Sequence, residues 1–164
     1  MCGIACYIGK KKALPVVISS LKSLEYRGYD SAGVAYVIED KIKLIKTSGK
    51  IINLEKKLDL KENTYLCIAH TRWATHGKAN FKNAHPHTIG KITLVHNGII
   101  ENYKEIKNTL IKKGYTFLSD TDSEVAAAYI DYNYKQTNDI LETLEKIKYE
   151  LKGPSLTVLI KKIL

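Results

Sequence analysis

The patterned segments of this chain come in blocks. One short strand and one helix are followed by four strand-like stretches in succession, then three helices and a last strand. Strict strand–helix alternation, the signature of a parallel sheet wound with crossover helices, is absent. That order restricts the chain to a mixed α+β layered fold.

The segments read as follows. "GIACYIG" is a short apolar run of strand length. In "KALPVVISSLKSLEY", Leu14, Val17, Ile18, Leu21 and Leu24 recur at helical spacing, and Pro15 falls in the first turn, where it is tolerated. "AGVAYVIEDKIKLIK" reads as a hairpin with its turn at Glu39-Asp40, and Ile42 and Leu44 alternate with lysines as on a half-exposed strand. "TYLCIAHT" and "KITLVHNG" are two further strands. "NYKEIKNTLIKKG" is a helix capped by Asn102 with Glu105 three residues on, ending at Gly114. "TDSEVAAAYIDYNY" starts with the same kind of cap. "NDILETLEKIKYEL" places Leu141, Leu144, Ile147 and Leu151 on one face, and "SLTVLIKKIL" is a final strand.

A chain of 164 residues, 45% of them hydrophobic, suits one domain with a real core. No apolar run reaches transmembrane length, and the start lacks the pattern of a secretory signal. Cys2, Cys6 and Cys67 are odd in number and unevenly spaced, which speaks against a disulfide framework and for a reducing, cytoplasmic setting. The net charge of +9 raises nucleic acid as a partner. Against it, the lysines of "GKKKA", "KIKLIK" and "KKLDLK" are scattered and form no stripe interleaved with aromatics, so a solvated lysine surface is expected.

Rarer residues are concentrated. Of the 26 basic residues, only Arg27 and Arg72 are arginine, the single tryptophan is Trp73, and all 5 histidines lie between His70 and His96. Once Met1 is removed, Cys2 carries a thiol and an α-amine whose ordinary pKa values both lie near neutrality, so the amine can take the thiol proton. Equally, a second-position cysteine can be a small buried hydrophobe. In "HTRWATHG", the Arg72 guanidinium suits a carboxylate and Trp73 can cover a ligand. "NAHPH" could be half of a metal site. In "VHNG", Asn97-Gly98 is either a hairpin turn or an amide and N–H pair for an oxyanion. In "SDTDSEV", Thr121 and Glu124 form a capping box, and Asp122 either serves the helix dipole or pairs with an ammonium. Nucleophile, oxyanion donors, a cation for a carboxylate and an anion for an amine together match an α-amino acid with a reactive side-chain carbonyl, and glutamine fits.

"MCGI", "LEYRGYDSAG", "AHTRWATHG", "NAHPH", "VHNGIIEN" and "TDSE" keep the order and spacing of the glutaminase domain of glutamine–fructose-6-phosphate aminotransferases. The chain resembles that branch of the class II glutamine amidotransferases, which are N-terminal-nucleophile (Ntn) hydrolases, from residue 2 to about residue 152. The resemblance implies an α-β-β-α sandwich of two antiparallel sheets. It makes Cys2 the nucleophile with its α-amine as base, and Asn97 and the Gly98 N–H the oxyanion donors. Arg72 and Asp122 would hold the carboxylate and amine of L-glutamine. Thr75, His76 and Gly98 would line the pocket, Trp73 would close over it, and His85 would sit at its edge. Arg27 and Gly28 would lie against the Cys2 end. Neither cofactor nor metal is implied, nor nucleic acid or membrane. In the full-length family, a sugar isomerase domain binds fructose 6-phosphate, receives the ammonia, and carries the dimer contact.

The family's glutaminase domain continues past residue 164, and "LKGPSLTVLIKKIL" departs from the family's small residues after that glycine. Residues 1–164 are therefore expected to be a truncated glutaminase domain without the sugar isomerase domains. Two other readings stay open. One is an inactive or degenerate fragment of the family. The other is a zinc module drawing on Cys2, Cys6, His70, His76, His85 or His87, although its spacing is incomplete for zinc.

Overall fold

A computed structural model describes residues 2–73, 80–153 and 155–161. The order is β1 (Gly3–Ile8), α1 (Ala13–Ser23), a 3₁₀ turn (Glu25–Arg27), β2 (Ser31–Ile38), β3 (Lys41–Ser48), α2 (Ile51–Glu55), β4 (Leu66–Arg72), β5 (His87–Ile89), β6 (Ile92–Gly98), α3 (Tyr103–Lys112), α4 (Asp122–Thr137), α5 (Ile140–Ile147) and β7 (Ser155–Lys161). The strands make two antiparallel sheets, one ordered β1-β4-β2-β3 and the other β5-β6-β7.

Side-chain alternation turns these sheets into layers. On β4, Cys67 and Ala69 join Ala5, Val34 and Tyr36 in a cluster under α1 and α2. Leu66 and Ile68 point the other way and meet Ala35 and Val95, the latter from β6 of the second sheet. On β6, Ile92 and Leu94 face away from the first sheet and pack on Ala126, Ala127 and Ile130 of α4. The layers run α1/α2, first sheet, second sheet, α4 with α3 and α5, as expected. Helix α1 seals the first layer because Leu14, Val17, Ile18 and Leu21 fall on one stripe and are all buried. Each fully buried aliphatic of this kind contributes about 1.5–3 kcal/mol.

Local details follow the residues. Glu39 and Asp40 have φ 47° and 59°, and Ile38 pairs with Lys41, so the β2–β3 hairpin closes on a two-residue turn of the primed type. Thr121 caps α4 by accepting the Glu124 N–H at 3.2 Å. The return half of the expected box is missing, because Glu124 instead accepts from the Leu118 and Ser119 N–H groups at 3.0 and 2.7 Å.

Three expectations are corrected. Asn102 precedes α3 but makes no capping bond; its amide donates to Glu150 O at 2.8 Å and accepts from Lys152 N at 3.1 Å, tying α3 to the segment before β7. Leu141 is 72% exposed, and the buried face of α5 is Ile140, Thr143, Leu144 and Ile147. Asn97-Gly98 is not a hairpin turn, since both residues pair with Leu156 and Ser155 of β7. The short α2 and β5 carried too few residues to show a period. Among the described residues, no helix is long and apolar enough to cross a membrane.

Candidate active site

The gap between the two sheets changes character along its length. On the inward face of β4, Leu66 and Ile68 give way to His70 and Arg72. On the facing side of β6, Val95 gives way to Asn97. On β1, Ile4 is followed outward by Cys2. The packed core therefore ends in a polar cleft lined by Cys2, His70, Arg72, Trp73, His85, His96, Asn97, Gly98, Thr121, Asp122 and Ser123.

Cys2 is half-buried at the mouth of this gap. Its Sγ accepts the Trp73 N–H at 3.2 Å and lies 3.6 Å from Trp73 O. The Gly3 N–H donates to Thr71 Oγ1 at 3.1 Å, and a Cβ at Gly3 would lie 2.8 Å from Leu24 Cδ1. The smallest side chain thus lets β1 bring Cys2 close to β4. Asn97 Nδ2 donates to Cys2 O at 3.3 Å, which ties the second sheet to the main chain of the cysteine.

Arg72 is buried, and its Nη1 lies 3.7 Å from Asp30 Oδ1, which also accepts from Ser31 Oγ at 2.9 Å. The Asp30 N–H donates to Arg72 O at 2.7 Å. "YDS" therefore orients the arginine, a role the sequence left unassigned. Asp122 opens α4; its Oδ2 accepts the Ile100 N–H at 2.9 Å and its Oδ1 accepts from Ser123 Oγ at 3.3 Å. Its carboxylate sits at the positive end of α4, where negative charge is favoured.

Gly28 has φ +72°, and an added Cβ would fall 2.2 Å from Trp73 Cζ3. Gly28 therefore packs under the Trp73 indole, whose main-chain N–H donates to Cys2 Sγ. His85 is buried in the cleft wall. Its Nδ1 accepts the His96 N–H at 3.3 Å, and its ring stacks on His70 with centroids 4.1 Å apart and planes at 16°. Gly33 makes room for this segment, since a Cβ there would meet His85 O at 2.1 Å. Thr75 and His76 lie outside the described residues, as does the Arg27 side chain.

The four described histidines form a neutral group. Burial holds His70 down to about 4, and it holds His85 and His87 well below the ordinary imidazole value with help from neighbouring cations. Burial also lowers His96, opposed by Asp122. His87 Nε2 lies 3.0 Å from Thr121 Oγ1, and Asp120 N donates to Asn83 Oδ1 at 2.9 Å. "NAHPH" thus fastens its loop to the start of α4. Among the described residues, no group of histidines, cysteines and carboxylates is arranged to hold a metal. Sequence reasoning offered His70 only as a zinc candidate and missed His96 and Ser123 as site residues. For His70 and His96, alternation with the apolar core positions of β4 and β6 was the available signal; Ser123, in the first turn of α4, carried none.

The two antiparallel sheets and their flanking helices form a fold of the Ntn-amidotransferase type. Two solved structures share the fold. Over 99% of this chain and 35% of its own, the glutamine phosphoribosylpyrophosphate amidotransferase of B. subtilis superposes with TM-score 0.81 at 23% identity. An allosteric regulatory enzyme of purine biosynthesis gives 0.82 at 22% identity, over 99% and 36%. A glutamine amidotransferase domain family matches residues 70–148. This chain carries a glutamine amidotransferase domain. More particularly, its sequence is similar to glutamine–fructose-6-phosphate aminotransferases (isomerizing). That of Helicobacter pylori is 49% identical over 155 residues, that of Pyrococcus horikoshii 51% over 156 and that of Aquifex aeolicus 52% over 158. Each alignment covers 93% of this chain and 26% of the relative, so the chain spans about a quarter of their length.

Proposed function

We propose that this chain is the glutamine-hydrolysing part of a glutamine–fructose-6-phosphate aminotransferase, releasing ammonia from L-glutamine through a Cys2 γ-glutamyl thioester. The observation that carries this reading is the convergence of Cys2 Sγ, the Asn97 amide, Gly98, Arg72 and Asp122 on one cleft. These groups match the parts of the substrate: carboxamide, developing oxyanion, α-carboxylate and α-ammonium.

The chemistry follows from these groups. After loss of Met1, the α-amine of Cys2 takes the thiol proton. The thiolate attacks the carboxamide carbon, and the oxyanion accepts from Asn97 Nδ2–H and the Gly98 N–H, a donor pair of the kind worth about 3–4 kcal/mol each. The carbon–nitrogen bond then breaks, the proton leaves with ammonia, and the thioester remains. Water, deprotonated by the same amine, attacks the thioester and glutamate departs. Arg72 and Asp122 hold the ends of the amino acid throughout, and Thr75, His76 and His85 complete its pocket. Trp73 covers the cleft, and Arg27 and Gly28 support it from the Cys2 side. No step uses a metal or cofactor.

In this reading residues 1–164 belong to the glutaminase domain, and none belongs to a sugar isomerase domain. The ammonia goes to an isomerase domain that binds fructose 6-phosphate and yields glucosamine 6-phosphate, a hexosamine-forming step in the cytoplasm. Dimerisation belongs to that domain, and no nucleic acid or membrane takes part.

The test joins intact mass with a diazoketone analogue of glutamine. The expected product is a chain one methionine lighter, labelled once, on Cys2. Retained Met1, or label on Cys6 or Cys67 alone, overturns the mechanism. Glucosamine 6-phosphate made by the purified chain from glutamine and fructose 6-phosphate would refute the assignment of all 164 residues to the glutaminase half.

A further inference from the structure

We infer that His70 is a positioning residue, which fixes the end of the Asn97 side-chain amide that faces the reacting carbonyl. The inference rests on the glutaminase reading for its consequence, and on two backbone carbonyls for its logic. His70 Nε2 lies 3.2 Å from His96 O and 2.8 Å from Asn97 Oδ1. A backbone carbonyl only accepts, so Nε2 carries the imidazole proton. The Asn97 atom beside it must then be the oxygen. At the other end, Asn97 Nδ2 lies 3.3 Å from Cys2 O, again a group that only accepts. Reversing the amide would set donor against donor at His70 and acceptor against acceptor at Cys2. Both ends therefore specify one orientation.

That orientation leaves the second Nδ2 hydrogen for an oxyanion forming beside Cys2 Sγ. The ring that enforces it is itself held. It is buried in the sheet gap and stacked on His85, and His85 is in turn fixed by the His96 N–H. A neutral imidazole has one N–H, and its commitment to Nε2 accounts for Nδ1, which is buried without a hydrogen-bond partner among the described residues. Burial keeps the ring neutral across the physiological range. Both hydrogen bonds of His70 Nε2 go to β6, to His96 O and Asn97 Oδ1, so His70 acts through Asn97.

The test has two arms. In the ¹⁵N-labelled chain, long-range imidazole NMR between pH 5.5 and 8 should show His70 as the Nε2–H tautomer without titration. An Nδ1–H tautomer overturns the inference. In kinetics, His70→Phe should lower kcat for ammonia release from glutamine by about 10–100-fold, less than the roughly 100–1,000-fold cost of deleting an oxyanion donor outright, because the Asn97 amide is misoriented rather than removed. KM should change far less, and His70→Gln, which returns an N–H, should recover part of kcat. In an Asn97→Ala background, His70→Phe should have no further effect. An undiminished effect in that background, or equal losses in Phe and Gln variants, would show that His70 acts elsewhere. If the parent chain releases no ammonia from glutamine, the functional reading fails, while the tautomer measurement still decides the orientation of Asn97.

Discussion

Trp73 links the outer support of the site to its sulfur. Its indole packs where a side chain at Gly28 would sit, 2.2 Å from a Cβ, and its main-chain N–H donates to Cys2 Sγ at 3.2 Å. Gly28 also holds φ +72°, a region that costs an L residue about 1 kcal/mol or more. Gly28→Ala should therefore push the indole outward and disturb the donor at the sulfur. The expected result is a loss of ammonia release of about tenfold or more, because misplacement by an ångström can cost up to about a hundredfold. Since Trp73 is the single tryptophan, its emission reports the same event directly. An unchanged emission spectrum with full activity would show that the loop absorbs the methyl without moving Trp73.

At the scale of elements, β3 shows how alternation reaches beyond apolar residues. Ile42, Leu44 and Lys46 share one face of the strand, and Lys46 at the far end is buried between the sheets. Burial lowers its ammonium to about 8, against the pull of Glu124. The unfolded chain then binds more protons between pH 8 and 10.5, so this group stabilises the fold above that window and loses the contribution as pH falls through about 8. Lys46→Met should be more stable than the parent at pH 7, by up to about 3 kcal/mol, and the gap should narrow as pH rises past 8. Comparing variant with parent cancels Cys67, whose thiol burial pushes up to about 12 and which acts in the opposite sense. A constant gap from pH 7 to 10 in urea melts removes the buried ammonium as its cause. Much of the layout was legible in the same way: α1, the Glu39-Asp40 turn and the strand ends bearing Arg72 and Asn97 all follow from local pattern. What was not legible depended on packing partners. Leu141 fits the helical period of α5, yet Ile140 faces α4 instead, and Asn102 has the chemistry of a cap but finds Glu150 and Lys152 closer. Placement of His70 beside Asn97 depends on how two sheets stack, which no segment encodes alone.

At the scale of the molecule, the four histidines buried among the described residues couple the site to acid stability. All four are held below their ordinary value, His70 at about 4. In the unfolded chain they take up protons near pH 6.5, whereas the folded chain refuses them until lower pH. Unfolding therefore binds protons, and stability falls as pH drops through 6.5 toward 4. His70 alone, displaced from 6.5 to about 4, is worth about 3 kcal/mol at the bottom of that window. Glu62, held down by Lys43 and Tyr36, acts only below its ordinary 4.5, so the interval from 6.5 to 4.5 belongs to the histidines. Urea midpoints at pH 7.5, 6 and 5 should fall steadily. Flat stability across that interval would mean that the folded chain accepts these protons. The His70 ring would then be cationic in its stack, and the neutral environment that surrounds Asn97 and Cys2 would be lost along with it.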